Sequence, residues 1–437
     1  MNMTRERPEV RALVEDLFRH HAAAMLAVLT RQFGLENIEL AEEVVQDAML
    51  QALRLWPFQG VPANPRGWLI QVARNKALDL TRRNTALQRR RKELERSSTA
   101  AEARYAQGPD TDDFGDERLA MIFACAHPAL VPEARVALTL KAACGFSVTE
   151  IARAFLASEP TIAQRLVRAK KLIRERGVGL SLPDAKELPE RLESVLQVIY
   201  LLFNEGHSAS AGDALVRHEL CGEAIWLAEL LARRPETSRP KVFALLALME
   251  LQAARLPARL DESGDLVLLA DQDRSKWDGR LIDRGLRHLD QSSAGDELTS
   301  YHLQAGIAAV HAVAVDHAST DWDRLLGLYD LLLAVEPSAI VALNRAVVVA
   351  MRDGAQAGLE ALDAVASAGS LREYYLLPAT RADLLRQLDR DEEAAACYET
   401  ALALAANGPE RRFLQARLHR CRRDRAAVLS SPFSSRD

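Results

Sequence analysis

The sequence predicts an all-α protein in which two small helical modules, the second a helix-turn-helix, are joined by a linker and followed by a large helical C-terminal domain. Three observations lead to this reading. Apolar residues recur three and four positions apart through most of the chain, the spacing that lines one face of a helix. Ser147 lies three residues before Glu150, and Ser158 shortly precedes Pro160, so two helix starts follow each other closely. From about Tyr301 onward, helical stretches alternate with short turns.

At 437 residues with 49% apolar content, the chain has room for two to four domains and excludes wholesale disorder. It contains no run of about 18 apolar residues, and its start, MNMTRERPEVRALVEDLF, is charged, so neither membrane insertion nor secretion is expected and the cytoplasm is the expected location. The five cysteines are scattered without metal-ligand spacing and read as reduced, partly buried thiols. Residues 1–180 carry 27 Lys+Arg against 22 Asp+Glu, a net +5, and the remainder carries 29 against 39, a net −10. The front is thus the half suited to nucleic acid.

In the front, Gly34 marks the stop of a first helix and residues 35–39 the connection to a second. There Ala41, Val44, Val45, Ala48, Ala52 and Trp56 form the packing stripe. Glu39, Glu42, Glu43, Gln46 and Asp47 line the other side, either as a surface for a basic helical partner or as a plain solvated face. Trp56 to Trp68, WPFQGVPANPRGW, is expected to be a loop whose aromatics either stack on unpaired bases or pin the loop to the core. The next helix, Trp68 to Arg83, packs through Ile70, Ala73, Ala77 and Leu80. It presents Gln71, Arg74, Asn75 and Leu78 together on another face. The basic cluster Arg89 to Lys92 suits phosphate contact or a solvated helix end, and Ser97 to Asp116 reads as a flexible linker.

Helices at Arg118 to Ala126 and Pro132 to Gly145 lead into Ser147 to Arg174, two short helices joined by a tight turn. In the second of these, Ile162, Leu166, Ala169 and Ile173 share one face, while Thr161, Gln164, Arg165, Arg168 and Lys171 occupy the opposite one. Hydrogen-bonding side chains near the helix start can read base edges and cations farther along can hold phosphates, as in a recognition helix. A solvated basic face on an ordinary helical hairpin has the same pattern.

Together these stretches resemble a bacterial RNA polymerase sigma factor of the extracytoplasmic-function (ECF) type, over about residues 8 to 178. AEEVVQDAMLQAL, residues 41–53, looks like the second-region helix that docks on the polymerase clamp. NPRGWLIQVARNKALDLTRR, residues 64–83, resembles the helix that reads the promoter −10 element, and PEARVALTL with Ser147 to Arg174 resembles the fourth-region helix-turn-helix that reads −35. The resemblance implies that Glu42, Glu43, Gln46 and Asp47 face polymerase. It implies that Phe58, Asn64, Asn75, Asp79, Arg82 and Arg83 lie at the −10 DNA, the loop from Phe58 to Asn64 holding an unstacked base. Thr161, Gln164, Arg165, Arg168 and Lys171 would then lie at −35. The implied domains are a region 2 domain at 8–96, a linker at 97–116 and a region 4 domain at 117–180, followed by a helical middle domain at 181–298 and a repeat domain at 299–437.

An ordinary ECF sigma factor would end near Gly177. Beyond it, Leu188 to Phe203 is an apolar helix followed by Asn204, Glu205, Gly206 and His207, with Gly206 read as its C-cap. Helices are expected at 211–233 and 242–256. LVLLADQDRSKWD, Leu266 to Asp278, breaks the helical rhythm. Asp271 and Asp273 are spaced as metal ligands can be, though helix capping through Ser275 accounts for the pattern, and no metal site is expected. Trp322, Leu326, Leu328, Tyr329 and Pro337, and later Ala382, Leu388, Tyr398 and Ala401, resemble tetratricopeptide (TPR) repeats, which present a groove for a protein or peptide partner; a helical bundle without a groove is the alternative.

No nucleophile–base ordering, Gly-rich phosphate loop or paired-carboxylate arrangement emerges, so neither enzymatic activity nor a cofactor is expected. The expected function is that of a sigma factor that binds core RNA polymerase and promoter DNA, directs −10/−35 recognition and is regulated by its own C-terminal helical extension. A stand-alone helix-turn-helix regulator and a TPR interaction scaffold are the alternatives.

Overall fold

The computed structural model describes residues 24–34, 37–83, 114–155, 157–207, 217–367, 371–405 and 408–430, with single positions 14 and 22. The chain divides into two compact units, Met1–Leu201 and Leu202–Asp437. The fold is all-α. Among the described residues the single strand-like feature is an isolated bridge between Leu260 and Leu266.

In the first unit, helix α1 (24–33) ends where Gly34, at φ 91°, donates its N–H to the Thr30 carbonyl at 2.8 Å. Helices α2 (Ile38–Gln59) and α3 (Pro65–Arg83) pack on each other. The predicted α2 stripe is the buried one, from Ala41 to Trp56, and it meets Leu69, Ile70, Ala73 and Ala77 of α3.

The stretch expected as a loop from Trp56 to Trp68 is shorter than its composition implies. Helix α2 runs on to Gln59 with Pro57 inside it, and Gly60 ends it at φ 82° with an N–H bond to the Trp56 carbonyl. Pro65 then starts α3, and the Asn64 side chain accepts from the Gly67 N–H at 2.9 Å. Only residues 60–64 connect the two helices. Trp56 and Trp68 pack against each other with ring centroids 5.4 Å apart, so these aromatics pin the corner to the core.

Helix α4 (Phe114–Cys125) begins inside the expected linker. The rest of that linker and the cluster Arg89 to Lys92 lie outside the described residues. Helices α5 (Pro132–Ala142), α6 (Val148–Ala154) and α7 (Glu159–Glu175) complete a small bundle with α4. The buried Arg118 guanidinium ties α4 to the end of α5 through the Ala143 carbonyl, at 2.9 and 3.2 Å. Helix α8 (Leu188–His207) begins in this unit, where Arg191 donates to the Phe123 carbonyl at 2.6 Å.

Helix α8 continues through Gly206 to His207, so Gly206 is not the C-cap expected of it. A Cβ there would stand 2.8 Å from the Cys221 backbone N, the Cys221 Sγ and the Leu220 Cβ. Glycine is needed for close helix approach rather than for helix termination.

In the second unit, α9 (His218–Arg233), α11 (Gly279–Ser292) and α12 (Ser300–Val313) all pack on α10 (Pro240–Ala253). Helix α10 is buried nearly all round. Its one buried acid, Glu250, pairs with Arg284 and His288, each at 2.6 Å. The irregular Leu266 to Asp278 stretch makes two short 3₁₀ turns, Leu269–Asp271 and Arg274–Lys276. Ser275, expected to cap the next helix, instead donates its N–H and Oγ–H to Asp273. The cap of α11 is Asp278, which accepts from Arg280 and Leu281.

Helices α13 (Trp322–Val335), α14 (Ala339–Asp353), α15 (Ala355–Ser367), α16 (Leu376–Gln387), α17 (Asp391–Leu404) and α18 (Gly408–Ser430) each pack on the next, and α14 also touches α16. This is the nearest-neighbour stacking of a helical-hairpin array. Tyr398, wholly buried, donates to Asp383 at 2.5 Å and anchors the last pairs.

Candidate nucleic-acid interface

Local chemistry sets up the helix-turn-helix. Ser147 Oγ accepts from the Glu150 N–H at 3.1 Å, and the Glu150 carboxylate accepts from the Ser147 N–H at 2.7 Å. This closes the predicted capping box at the start of α6. Ser158 caps α7 by accepting from the Thr161 N–H at 3.3 Å, with Pro160 in the first turn. The buried residues of α7 are Ile162, Leu166, Ala169 and Ile173, the predicted stripe. Against this packed face, Thr161, Gln164, Arg168 and Lys171 are exposed, and Arg165 is half-buried. Lys171 makes one weak pair with Glu175 at 3.8 Å within the helix. The outer face of α7 thus offers a hydroxyl, an amide and three cations in one strip of about three turns.

The α2–α3 corner offers a second surface. Phe58, on the last turn of α2, is 73% exposed, a large ring held in water beside the corner. Asn64 is exposed but spends its side-chain oxygen on the Gly67 N–H. Asn75 and Asp79 are exposed on α3, and Asn75 accepts from Gln71 at 3.1 Å. Arg74, expected on the same open face, is buried instead, because its position falls beside the packing stripe of Ala73 and Ala77. Arg82 and Arg83 lie on the last turn of α3, but their side chains fall outside the described residues.

The acidic side of α2 is partly engaged within the first unit. Glu42 faces Lys141 of α5 at 3.6 Å, and Glu39 faces Lys170 of α7 at 3.3 Å. Asp47 pairs with Lys76 of α3. Glu43 and Gln46 remain exposed. These pairings join residues far apart in the chain and had no signal in the sequence.

Of the cysteines, Cys125, Cys221 and Cys421 are buried, and all five are thiols outside any disulfide. Burial pushes the Cys221 thiol up to about 12, the opposite of a reactive thiol. Among the described residues, no group of three or more His, Cys, Asp or Glu stands where it could hold a metal ion, and no helix is long and apolar enough to cross a membrane.

Comparison with known proteins follows this division. Residues 17–87 match the model of Sigma-70 region 2, residues 120–173 match Sigma-70, region 4, and residues 191–293 match a family of unknown function (DUF6596). The chain is 39% identical over 406 residues to an uncharacterized protein, R00370, of Rhizobium meliloti (strain 1021), covering 92% of this chain and 94% of that one. No solved structure matches. A region 2 helix pair and a region 4 helix-turn-helix on one chain define a sigma-70-type transcription factor, whose partners are core RNA polymerase and promoter DNA. More narrowly, the chain belongs to the ECF-type sigma factors that carry a C-terminal extension.

Proposed function

We propose that this sigma factor reads the −35 element with the outer face of α7, reads the −10 element with the α2–α3 corner, and docks on core polymerase through the acidic side of α2. The observation that carries the proposal is the two-faced α7. Four apolar residues are packed, and Thr161, Gln164, Arg168 and Lys171 are exposed on the other side of a helix capped at Ser158, with the Thr161 hydroxyl 2.8 Å from the Ser158 hydroxyl and Lys171 weakly paired to Glu175. Phosphate contacts from Arg168 and Lys171 position the module, and Thr161 and Gln164, nearest the helix start, are the base-edge readers.

At −10, the exposed Phe58 ring is the group suited to stack on a base displaced from the duplex, with Asn75 and Asp79 along the adjoining helix. Melting proceeds without covalent chemistry: unstacking costs a few kcal/mol, offset by stacking and by the second DNA grip at −35. The Lys170 pair with the mostly exposed Glu39 is worth about 0–1 kcal/mol and does not block docking, whereas the Lys141–Glu42 pair is largely buried and a partner must supply a replacement cation to reach that carboxylate. A basic partner helix can displace them.

The extension regulates this activity, and its stacked helices α13 to α18 provide the kind of surface that takes a peptide or protein partner. As a sigma factor the chain acts in the cytoplasm. In vitro transcription with core polymerase tests the reading. Run-off product that depends on this chain supports it. Operator binding without promoter opening would leave only a stand-alone regulator, and absence of DNA binding would leave a scaffold.

A further inference from the structure

We infer that the second unit holds a binding site for a small oxyanion, phosphate or carboxylate, built by Arg255, Arg259, Arg274 and Trp277 with His311 beside them. The site lies within the fold whose family has no assigned function, apart from His311. It also joins two stretches that promoter recognition leaves unused, the Asn204 to His207 end of α8 and the Leu266 to Asp278 segment.

Geometry groups the cations. Arg259 Nη1 donates to the His207 carbonyl and stands 2.8 and 3.0 Å from that ring's nitrogens. Arg274 Nη1 donates to the carbonyls of His311 and Ala314, both at 2.7 Å. The Arg255 and Arg274 guanidiniums both lie over the Trp277 ring, at 6.0 and 4.5 Å from its centroid. Trp277 itself is only 8% exposed.

Within this cluster, donors are sealed from solvent without an acceptor. Among the described residues, Arg255 Nε, Arg274 Nη2 and Trp277 Nε1 have no hydrogen-bond partner, and neither has His311 Nδ1. Buried donors left unmade cost about 1–3 kcal/mol each, so several in one place call for a guest. Ordered water can satisfy donors but leaves the charge uncompensated.

The charge balance selects the class of guest. Burial, then the neighbouring Arg259 and Arg274, push the Arg255 guanidinium down to about 10, and the neighbour that opposes them is the Tyr329 phenol rather than a carboxylate. The titratable neighbours of Arg259 are the Cys221 thiol and the Tyr375 phenol, and burial raises both, which keeps them neutral, so neither balances the guanidinium. Asp316 is within electrostatic reach of Arg274, but its carboxylate already accepts from the Ser319 N–H at 2.7 Å. Guanidinium forks match the paired oxygens of phosphate and carboxylate, and a rigid indole N–H adds a fixed donor.

The test uses the full chain in titration calorimetry and thermal unfolding, with inorganic phosphate and with succinate against sodium chloride at matched ionic strength. Saturable binding of either oxyanion is expected, together with a rise in Tm. Binding to phosphate alone assigns a phosphoryl ligand, and binding to succinate alone a carboxylate. Trp277→Phe, which keeps the ring and removes the N–H, should weaken binding about tenfold, and Arg255→Gln at least as much. Arg372→Gln, an exposed cation elsewhere in the unit, should leave binding unchanged. If Arg255→Gln does not fold, Trp277→Phe carries the test. No saturable binding beyond the chloride control, or binding unchanged in the folded variants, overturns the inference.

Discussion

Replacing both Arg168 and Lys171 by alanine isolates the phosphate-holding part of the α7 face. Both side chains are exposed, and the one ion pair lost is Lys171 with Glu175 at 3.8 Å, an i,i+4 contact worth about 0.3–0.5 kcal/mol. The fold should therefore survive with its unfolding free energy changed by less than about 1 kcal/mol. Each phosphate contact releases roughly 0.9 of a counterion, which at 0.1 M salt corresponds to about 1.2 kcal/mol. Two contacts amount to roughly 2.4 kcal/mol, about 50-fold in promoter affinity. The assay is fluorescence anisotropy of the holoenzyme on a promoter duplex across a salt series. Affinity should fall at low salt, and the slope of log K against log salt should become shallower by roughly 1.8. A loss of affinity with an unchanged slope would refute direct phosphate contact and move the effect to folding or docking. An unchanged affinity would remove this face from the interface.

Three further outcomes are expected. Glu43→Ala with Gln46→Ala, the exposed pair on α2, should lower core-polymerase pull-down several-fold at unchanged helical circular dichroism, whereas Glu42→Ala should act less because its carboxylate already faces Lys141. Gly206→Ala should destabilise the second unit by about 1–3 kcal/mol in urea unfolding, since the new Cβ meets Cys221 backbone that no side-chain rotation can move aside. Burial, followed by the charges of Arg255 and Arg274, lowers the His311 pKa from 6.5 to about 4, and His207 is also held well below its ordinary value. Both histidines bind protons more readily unfolded than folded, so the stability they contribute is complete above pH 6.5 and is lost as pH falls toward 4. The Tm of the second unit should drop across that window, and His311→Gln should flatten the drop.

The helix-turn-helix was legible because its determinants are local. A serine oxygen and a carboxylate three residues later cap a helix whatever surrounds them, and residues 162, 166, 169 and 173 fall on one face by helix geometry alone. The α2 stripe was legible for the same reason. The Trp56 to Trp68 corner was misread because proline and glycine content marks a break without saying where it falls. Pro57 is accommodated in the last turn of α2, and Gly60 makes the stop.

By itself, the sequence determined the helical class, the two sigma modules, the caps of the helix-turn-helix and the apolar stripes, features set largely by neighbours within about four residues. Only the tertiary structure decided that Arg74 is buried, that Lys141 and Lys170 pair with two α2 acids, and that Gly206 lies against Cys221. It also brought Arg255, Arg259, Arg274 and Trp277 into one cluster. Those outcomes depend on which distant segments the packing of helix faces brings together, and a periodic pattern of apolar residues says that a face is covered but not by what.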